Sequence, residues 1–536
     1  MPDLGSLNLA LLYIPLSVIG LWRWSYWLVR RLGVATYRPD LPWRPKTAPR
    51  LSVTVVTPVY NEDPDVFDQA VKSWQRNGVD EIIAVIDKSN VKHILRCQRD
   101  YVDVDSETTF RLVVTPKPGK RAALCDGIEL ASGEIIALVD SDTIWENDVL
   151  SRTVPYFANA AVGGATVAQR ISNPTTVGNV LFDILLWTRY REEVPFLLGV
   201  GRVFNTLSGR TAFYRREAIL SADHDNMHDL RHEFFLGARA VSGDDKRLSH
   251  LIIRQGWETA YVLDTCVYTP GLGSLRDFFK QRLRWTRNSW RADLKAVAAG
   301  WVWKHPALAF FMIDRFLQPF LMLVGPVVLT LAVINREWLL ATVLVVWWLA
   351  SRVVRVFGYF RQHPERLVHL PAFTLYGYVN ALLKIYALGT LLENSWATRW
   401  SRKRAARKSV VRQGSTLVQG GVAIGVCLTL LTYLALSFRS QVGADVQAQP
   451  YFDPTALQRS VDSVKGEQVK PTSPFEQVRS DTAGVYVVRP GDTLSGVAQD
   501  LGTTPDVLQR MNDIADDNLI SVGQRLRHPG NEEVVR

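Results

Sequence analysis

The chain has 536 residues, which is too long for one ordinary domain. Of these residues 47% are hydrophobic, and the formal net charge is +10. The apolar residues concentrate at the N-terminus and between residues 307 and 438, and many of the cations lie beside these runs. This pattern indicates that the positive charge serves membrane orientation and not nucleic-acid binding. The four cysteines include no CxxC pair, so we expect neither a disulfide framework nor a zinc site.

The first predicted element is a membrane span from Leu7 to Val29, which is apolar apart from Arg23. Roughly 20 apolar residues cross a bilayer, and this run is too long for the core of a signal peptide. Arg30 and Arg31 follow directly, so the positive-inside rule puts the N-terminus outside and the next domain in the cytosol. Residues 1–49 are therefore predicted to be a transmembrane helix with a cytosolic lead-in.

Residues 50–300 are predicted to form a cytosolic α/β domain. Short β-branched runs occur at Val53–Thr57, Glu81–Ile86, Leu112–Thr115 and Ile135–Val139, separated by helix-like segments. This alternation is typical of a mainly parallel sheet with crossover helices.

Residues 301–438 are predicted to be transmembrane and interfacial helices. Ala307–Ile334 and Trp338–Ala350 have the pattern of a hairpin of two spans, and Thr416–Phe438 that of a last span. Leu370–Leu392 has basic clusters on both sides, which favours an interfacial or re-entrant segment. A basic cluster also precedes the last span, so we expect a multi-pass protein of the cell membrane whose C-terminus is extracytoplasmic.

The remaining residues are predicted to lie outside the cell. Residues 439–483 contain Gln, Ser, Pro and Asp with little apolar periodicity, which predicts a flexible linker. Residues 484–530 are predicted to form a small globular domain, followed by a short tail at 531–536.

Polar residues follow the first two predicted strands, at the edge where parallel sheets bind nucleotides. The first strand leads through Thr57 into Tyr60 and Glu62, and Asp87 ends the second. An ordinary strand-to-helix loop explains the first group alone. Its repetition after the second strand favours a nucleotide site.

Charged residues also follow the third and fourth predicted strands. Lys117 and Lys120 enclose a flexible turn that suits a diphosphate, although a solvated basic turn has the same composition. Asp140 and Asp142 come just past a buried strand, where carboxylates need a cationic partner such as Mg²⁺ or Mn²⁺. A helix cap is the alternative explanation for this acidic pair.

Two further segments carry candidate chemistry. Asp244 and Asp245 lie in a loop before a helix-like segment, and one of them suits a general base for an acceptor hydroxyl, although an N-cap has the same pattern. Gln281, Arg284 and Trp285 lie in an amphipathic segment before the first of the later spans. Arg and Gln bind diphosphates and Trp stacks on sugars, but a membrane-surface helix has similar residues.

In this order and spacing the motifs resemble the processive family 2 glycosyltransferases, which include hyaluronan, cellulose and chitin synthases. The resemblance covers roughly residues 50–400. It is strongest to hyaluronan synthases and nodulation-type chitooligosaccharide synthases, through motifs such as Gly163-Gly164 and Tyr214-Arg215-Arg216. The sequence departs from that pattern at Arg210, where the family usually has Pro, and at Ala397, where it usually has Gly.

The resemblance implies a nucleotide-sugar-binding, GT-A-like fold and a role for each motif. The implied nucleotide-sugar-binding residues are Thr57, Tyr60, Glu62, Asp87, Lys117, Lys120, Asp140, Gln281 and Arg284. The implied metal ligands for Mg²⁺ or Mn²⁺ are Asp140 and Asp142. The base would be Asp245 with Asp244 beside it, and Trp285 would bind the acceptor.

Residues 485–528 resemble a LysM module, a small βααβ unit whose relatives bind glycans that contain N-acetylglucosamine. The resemblance implies glycan binding at the first turn, through Gly491, Asp492 and Thr493. A mini-domain that merely folds is the alternative. The expected partner is cell-wall glycan or another GlcNAc-containing glycan outside the cell.

The leading hypothesis is an inverting, processive synthase that takes a UDP-sugar, UDP-GlcNAc and/or UDP-GlcA, extends a β-linked polysaccharide across the bilayer and exports it. One alternative is a non-processive transferase with a lipid-linked acceptor, and another is a cellulose-type glucan synthase. An inactive wall-anchoring scaffold is the alternative outside enzymes. The sequence leaves the donor, linkage and chain length open.

Overall fold

The computed structural model describes residues 19–37, 50–60, 62–102, 104, 106–116, 119–239, 242–393, 409–448, 483–489, 492–512, 514, 520 and 523–529. The chain divides into two compact units, residues 1–449 and 450–536.

The first unit alternates strands and helices before it becomes helical. Its strands are β1 Val53–Val59, β2 Glu81–Asp87, β3 Thr109–Thr115, β4 Ile135–Val139, β5 Ile144–Trp145, β6 Val162–Ile171, β7 Thr211–Arg215, β8 Phe234–Phe235, β9 Ala238–Arg239 and β10 Glu258–Thr269. Its helices are α1 Ile19–Thr36, α2 Pro64–Arg76, α3 Val91–Cys97, α4 Lys120–Leu130, α5 Val149–Thr153, α6 Val177–Thr188, α7 Val194–Gly201, α8 Arg216–Ile219, α9 Asn226–Arg231, α10 Asp244–Arg254, α11 Leu275–Ala298, α12 Pro306–Ile334, α13 Trp338–Gln362, α14 Leu370–Gly389 and α15 Ser409–Ala448.

Eight of these strands form one sheet in the order β3-β2-β1-β4-β7-β6-β10-β5. The pairs β3-β2, β2-β1, β1-β4 and β6-β10 are parallel, whereas β7 runs antiparallel to both β4 and β6. The four strands predicted from β-branched runs are confirmed, with ends displaced by up to three residues. The predicted α/β class with a mainly parallel sheet is confirmed as well.

Helices cover both faces of the sheet. On one face, Phe67 and Trp74 of α2 pack against the apolar side chains of β1 and β2. On the other face, Leu124 of α4 and Leu248 and Ile252 of α10 pack in a second core. Both faces of the central strands are therefore buried, which explains why these strands have nearly continuous apolar sequences.

Three helices of the described chain are long and apolar enough to cross a membrane: α12, α13 and the part of α15 from Ser415 to Leu436. This indicates a membrane protein. The predicted span at Trp338 continues beyond Ala350 to Gln362, and the last helix continues to Ala448, into the segment whose composition predicted a linker.

The segment predicted as interfacial or re-entrant forms α14, which is not among the three candidate spans. Ala381 and Ile385 of α14 share a buried cluster with Leu323 of α12 and Cys427 of α15. The helix therefore packs against two candidate spans. Of the predicted first span, residues 7–18 lie outside the described residues.

Ion pairs hold the described part of α1 to the rest of the first unit. Arg30 and Arg31 lie 3.5 and 3.2 Å from the carboxylate of Glu192, and Arg23 lies 2.5 Å from Asp314 of α12. The basic pair that predicted membrane orientation thus also contacts an acidic side chain of the α/β domain.

The second unit has the predicted order of strand, two helices and strand. It consists of β11 Ala483–Val487, α16 Leu494–Asp500, α17 Pro505–Asn512 and β12 Arg525–Pro529, and the two strands pair antiparallel. A small core contains Leu494, Val497, Leu508 and Leu526. The structure thus confirms the predicted βααβ module.

Candidate active site

A cavity of about 500 Å³ opens at the edge of the sheet where β4 ends. Loops after β4 and before β7, the start of α10 and one face of α11 surround it, and it extends to α12 and α14. The predicted site residues that line it are Lys120, Asp140, Asp142, Asp244, Asp245, Gln281, Arg284 and Trp285. The structure therefore brings together four motifs that are widely separated in the sequence.

The acidic pair after β4 lies at one end of this cavity. Asp140 begins a turn in which its carbonyl accepts a hydrogen bond from the Thr143 amide at 3.0 Å. Burial and the nearby carboxylates of Asp140 and Glu62 raise the pKa of Asp142 to about 6. The negative charge at this turn is therefore only partly compensated by the protein.

This acidic turn fits a divalent cation. Asp140 and Asp142 offer hard carboxylate oxygens of the kind that Mg²⁺ and Mn²⁺ prefer, and a cation would relieve the repulsion that raises the pKa of Asp142. Among the described residues no group of three or more His, Cys, Asp or Glu side chains forms a complete metal site. Further ligands would have to come from the substrate, and a diphosphate supplies such oxygens.

Lys120, at the start of α4, connects the two acidic motifs. Its Nζ lies 2.5 Å from Asp140 and 3.6 Å from Asp244. Burial opposes the charge on Lys120, but the carboxylates of Asp140 and Asp244 outweigh it and hold the pKa of this lysine above its usual value. Lys120 is therefore a fixed cation between the two acidic motifs.

The second acidic pair begins α10. Gly243 precedes it with φ of +87°, a left-handed conformation that glycine adopts without strain. Asp245 accepts hydrogen bonds from the amides of Lys246 at 2.8 Å and Gly209 at 3.4 Å. A Cβ atom on Gly209 would lie 3.3 Å from the Cβ of Asp245, so the glycine allows this loop to approach the carboxylate closely.

The two carboxyl groups of this pair have opposite pKa shifts. Burial disfavours ionisation of Asp244, but Lys120 and Arg121 outweigh it and lower its pKa. Burial and the charge of Asp244 raise the pKa of Asp245. Neighbouring acids whose pKa values are pushed apart are typical of a division of roles, in which the group with the higher pKa is the better base.

The amphipathic segment forms α11, which is capped by Ser274 and lines the cavity with Gln281, Arg284 and Trp285. The Trp285 ring packs at 5.6 Å from the ring of Phe182 on α6. Trp290 of the same helix donates a hydrogen bond to the carbonyl of Lys384 on α14 at 3.0 Å. These contacts position the helix between the α/β domain and the helices that follow.

The residues expected to hold the nucleotide through β1 and β2 lie outside the lining of the cavity. Thr57 is fully buried because β1 continues two residues beyond it to Val59, and its hydroxyl has no partner among the described residues. Glu62 accepts a hydrogen bond from Ser141 at 3.1 Å and so contacts the acidic turn. Asp87 accepts hydrogen bonds from Ser89.

The remaining nucleotide residues are described only in part. Burial and the charge of Asp87 raise the pKa of Tyr60. Lys117 lies outside the described residues.

The cavity also contains residues that none of the sequence motifs indicated. Lys246 forms a buried ion pair with Asp293 at 2.6 Å, which joins α10 to α11. Ser208 donates a hydrogen bond to Gln169 at 3.0 Å. Arg210 faces the rings of Phe182 and Trp285. Lys246 could have been recognised from its position directly after the acidic pair, but no local pattern in the sequence indicates that its partner is Asp293.

In the second unit the predicted glycan residues serve the turn itself. Asp492 accepts hydrogen bonds from the amide of Arg489 at 2.7 Å and the hydroxyl of Tyr486 at 2.9 Å. Thr493 caps α16 by accepting a hydrogen bond from the amide of Gly496. Gly491 lies outside the described residues. The side chains of Asp492 and Thr493 therefore stabilise the turn and the start of α16.

Comparison with protein families gives two matches. The family described as glycosyltransferase like family 2 matches residues 49–288, which include the acidic motifs and Trp285. The LysM domain matches residues 486–529. With the sheet described above, these matches identify a GT-A-like α/β domain followed by candidate membrane helices and a LysM domain.

Several curated proteins are similar over most of their length. An N-acetylglucosaminyltransferase from Rhizobium leguminosarum bv. viciae is 30% identical over 390 residues, which cover 70% of this chain and 87% of the relative. One from Sinorhizobium fredii is 30% identical, with 65% and 84% covered. A type 2 glycosyltransferase from Zymoseptoria tritici is 23% identical, with 72% and 85% covered.

Among solved structures, a mannosyltransferase from Pyrobaculum calidifontis in complex with GDP-Man and Mn²⁺ has a TM-score of 0.46 and 18% identity. It is covered over 98% of its length and matches 69% of this chain.

Proposed function

The chain belongs to glycosyltransferase family 2, and on that premise we propose that it transfers N-acetylglucosamine from UDP-GlcNAc to a growing β-linked saccharide at a membrane. The donor is suggested by the N-acetylglucosaminyltransferases among its relatives, which favour the chitooligosaccharide side of the resemblance over hyaluronan synthesis. The observation that carries the proposal is one cavity lined by both acidic pairs and by Trp285.

Asp245 is the proposed general base. It would take the proton of the acceptor hydroxyl as that oxygen attacks the anomeric carbon of the donor. The bond from this carbon to the diphosphate oxygen breaks, and its electron pair leaves with UDP. Attack opposite the leaving group inverts the anomeric centre, so an α-linked donor gives a β-linked product. The raised pKa of Asp245 makes it a stronger base than an ordinary aspartate.

Fixed charges would balance the leaving diphosphate. Lys120 and Arg284 line the cavity with cationic groups that attract phosphate oxygens. Asp140 and Asp142 would hold Mg²⁺ or Mn²⁺, which when bound neutralises charge on the diphosphate. Trp285 offers a flat ring on which the acceptor sugar stacks. Asp244, already neutralised by Lys120, would orient the loop beside the base.

The proposed synthesis is processive and coupled to export of the product. The cavity continues past Trp285 to Arg315 and Gln318 of α12 and to Asn380 and Lys384 of α14. A growing chain needs a route from the acceptor site toward the membrane helices, and this extension supports one. A non-processive transferase that modifies a lipid-linked acceptor would release a product lengthened by one sugar.

A reconstitution experiment tests the reaction. The full chain in lipid nanodiscs receives each UDP-sugar alone and in pairs, with Mg²⁺ or Mn²⁺, while UDP release and product length are measured. We expect UDP release with UDP-GlcNAc alone and a ladder of β-linked oligosaccharides. Turnover only with UDP-glucose would favour the glucan synthase alternative, and turnover only with UDP-GlcNAc and UDP-GlcA together would indicate an alternating polymer. No turnover with any donor would contradict the proposal.

The proposed topology has the α/β domain in the cytosol and the LysM domain outside the cell. Its support is the basic pair after the first apolar run and the candidate span from Ser415 to Leu436 that precedes the tail. Protease added to intact cells should then remove the tail. A tail that is cleaved only after permeabilisation would reverse this orientation.

The LysM domain is proposed to bind a glycan that contains N-acetylglucosamine, in the cell wall or in the emerging product. The support is the family match and the βααβ fold. Binding of the full chain to insoluble chitin, with cellulose as the control polymer, tests this assignment.

A further inference from the structure

Arg210 occupies a special position between the acidic turn and the acceptor tryptophan. It directly precedes β7, and its carbonyl accepts a hydrogen bond from the Asp140 amide at 3.1 Å, so the backbone of Arg210 is fixed against the acidic turn. Its side chain lines the cavity. The guanidinium carbon lies 4.7 Å from the ring centre of Phe182 and 5.8 Å from that of Trp285.

The two aromatic contacts hold the guanidinium without using its hydrogen-bond donors. Stacking on aromatic rings restricts the plane of an arginine but leaves its N–H groups free to bind a ligand in that plane. Among the described residues, the Arg210 side chain forms no hydrogen bond and no ion pair within 4.0 Å. The carboxylates of Asp142 and Asp140 attract the guanidinium electrostatically, but from more than 4.0 Å away.

Two other cations of the same cavity are paired with carboxylates of the protein. Lys120 contacts Asp140, and Lys246 contacts Asp293 at 2.6 Å. A cation that is removed from bulk water without a partner is unfavourable. An arginine that lines a substrate cavity with free donors is therefore matched to an anion that arrives with the substrate.

We propose that Arg210 is a substrate-binding residue whose guanidinium forms paired hydrogen bonds with two anionic oxygens of the bound sugar nucleotide or acceptor. This rests on the proposed function. Two groups of that chemistry fit the place: the diphosphate of the donor, on the side of Asp142, and the carboxylate of a uronic acid, on the side of Trp285. Either group presents two oxygens to the planar fork of an arginine.

The test compares three variants of the full chain in nanodiscs. Arg210→Met removes the charge and keeps the aliphatic stem, Arg210→Lys keeps the charge without the fork, and Arg152→Gln alters an exposed arginine of α5 as a control. Binding of UDP with Mg²⁺ is measured by calorimetry. KM is measured for UDP-GlcNAc and UDP-GlcA, and for uronate-ended and neutral acceptors.

If Arg210 binds the diphosphate, Arg210→Met should weaken UDP binding about ten- to a hundredfold, because charge-assisted pairs are worth this much. The KM values of all donors should rise together. If Arg210 binds a uronate, UDP affinity should stay within twofold while only the uronate donor or acceptor is weakened. Arg210→Lys should fall between Arg210→Met and the wild type in either case.

The proposal is overturned if Arg210→Met leaves UDP affinity and every KM within twofold of the wild type. If Arg210→Met does not fold, Arg210→Lys decides, and wild-type affinities in that variant overturn the paired geometry. A wild-type chain that binds UDP through Arg210 but releases none from any donor would contradict the proposed function and leave this inference intact. An active wild type whose Arg210→Met variant keeps wild-type UDP affinity and KM values would support the proposed function and overturn this inference.

Discussion

The cavity of the first unit and the turn of the LysM unit use charged residues in opposite ways. In the cavity, carboxylates and cations are withdrawn from water, and their pKa values depart from the usual ones in both directions. In the LysM unit, Asp492 stays at the surface and fastens its own turn through Arg489 and Tyr486. Burying charge is unfavourable, so it is expected where a ligand or a reaction needs it.

This difference agrees with the proposed division of roles, in which the first unit carries the chemistry and the second binds glycan. A substitution in the cavity should change the rate of transfer and leave glycan retention unchanged. A change in the LysM unit should do the opposite.

The largest expected effect is that of Asp245→Asn. Loss of a general base typically lowers the rate about 10² to 10⁴-fold, and the amide cannot accept the proton of the acceptor hydroxyl. UDP binding should remain, because the diphosphate contacts are elsewhere in the cavity. Asp229→Asn, on the surface of α9, is a suitable control.

The pH dependence of the wild type sharpens this assignment. A base works only when it is deprotonated, and the pKa of Asp245 is raised. As the pH is lowered, kcat/KM should therefore begin to fall at a pH above about 4, the usual pKa of an aspartate. Asp245→Asn should lose this acid limb together with its rate. Nearly normal transfer by Asp245→Asn would move the base to another residue.

The next effect is that of Asp142→Asn or of metal removal. A bound cation contributes several kcal/mol of charge stabilisation, so either change should lower UDP release by roughly a hundred- to a thousandfold. Chelation should also weaken UDP binding in the wild type but not further in Asp142→Asn, and Asp65→Asn in the first turn of α2 provides a surface control. Full turnover in excess chelator would contradict the metal requirement.

A smaller effect, on stability, is expected at the buried pair between Lys246 and Asp293. Lys246→Met leaves the Asp293 carboxylate buried without its partner, which costs about 3 to 5 kcal/mol of folding stability. The double variant Lys246→Met with Asp293→Leu should recover most of that loss. The thermal unfolding midpoint in detergent measures both, and equal midpoints for the two variants would mean that the pair is not coupled in the folded protein.

The acidic motifs were predictable because each directly follows a strand end or precedes a helix in the sequence. Local patterning thus located Asp140, Asp142, Asp244 and Asp245 before the fold was known, and the structure brings all four to one cavity. The roles of these residues remain predictions. The partners of Arg210 and Lys246 had no such signal, because they come from helices distant in the sequence.

The sheet shows a similar limit. The first four strands have β-branched runs and were predicted, whereas β6 contains two adjacent glycines that do not suggest a strand. The structure gives the reason: a Cβ on Gly163 would lie 2.6 Å from the Cβ of Trp257, so close packing against a residue distant in the sequence requires glycine here. Long-range packing of this kind cannot be read from a local pattern.

The smallest expected effect on transfer is that of removing the LysM unit. Because α15 continues to Ala448, deletion of residues 449–536 removes the tail without cutting this helix. UDP release in nanodiscs should stay within twofold of the wild type, while retention on insoluble chitin should fall. Leu508→Ala in the full chain is the matched control, because it leaves a cavity in the small core without shortening the chain. It should lower the free energy of unfolding of the unit by about 2 to 5 kcal/mol, enough to unfold so small a domain.

The two variants together decide what the tail does. If both lose retention and keep transfer, the folded LysM unit is responsible for retention and the linker length is irrelevant. If only the deletion loses retention, residues 449–482 or unfolded tail segments bind the glycan. If the deletion abolishes synthesis, the tail belongs to the catalytic or export machinery, because no mechanism confined to the cavity of the first unit depends on it.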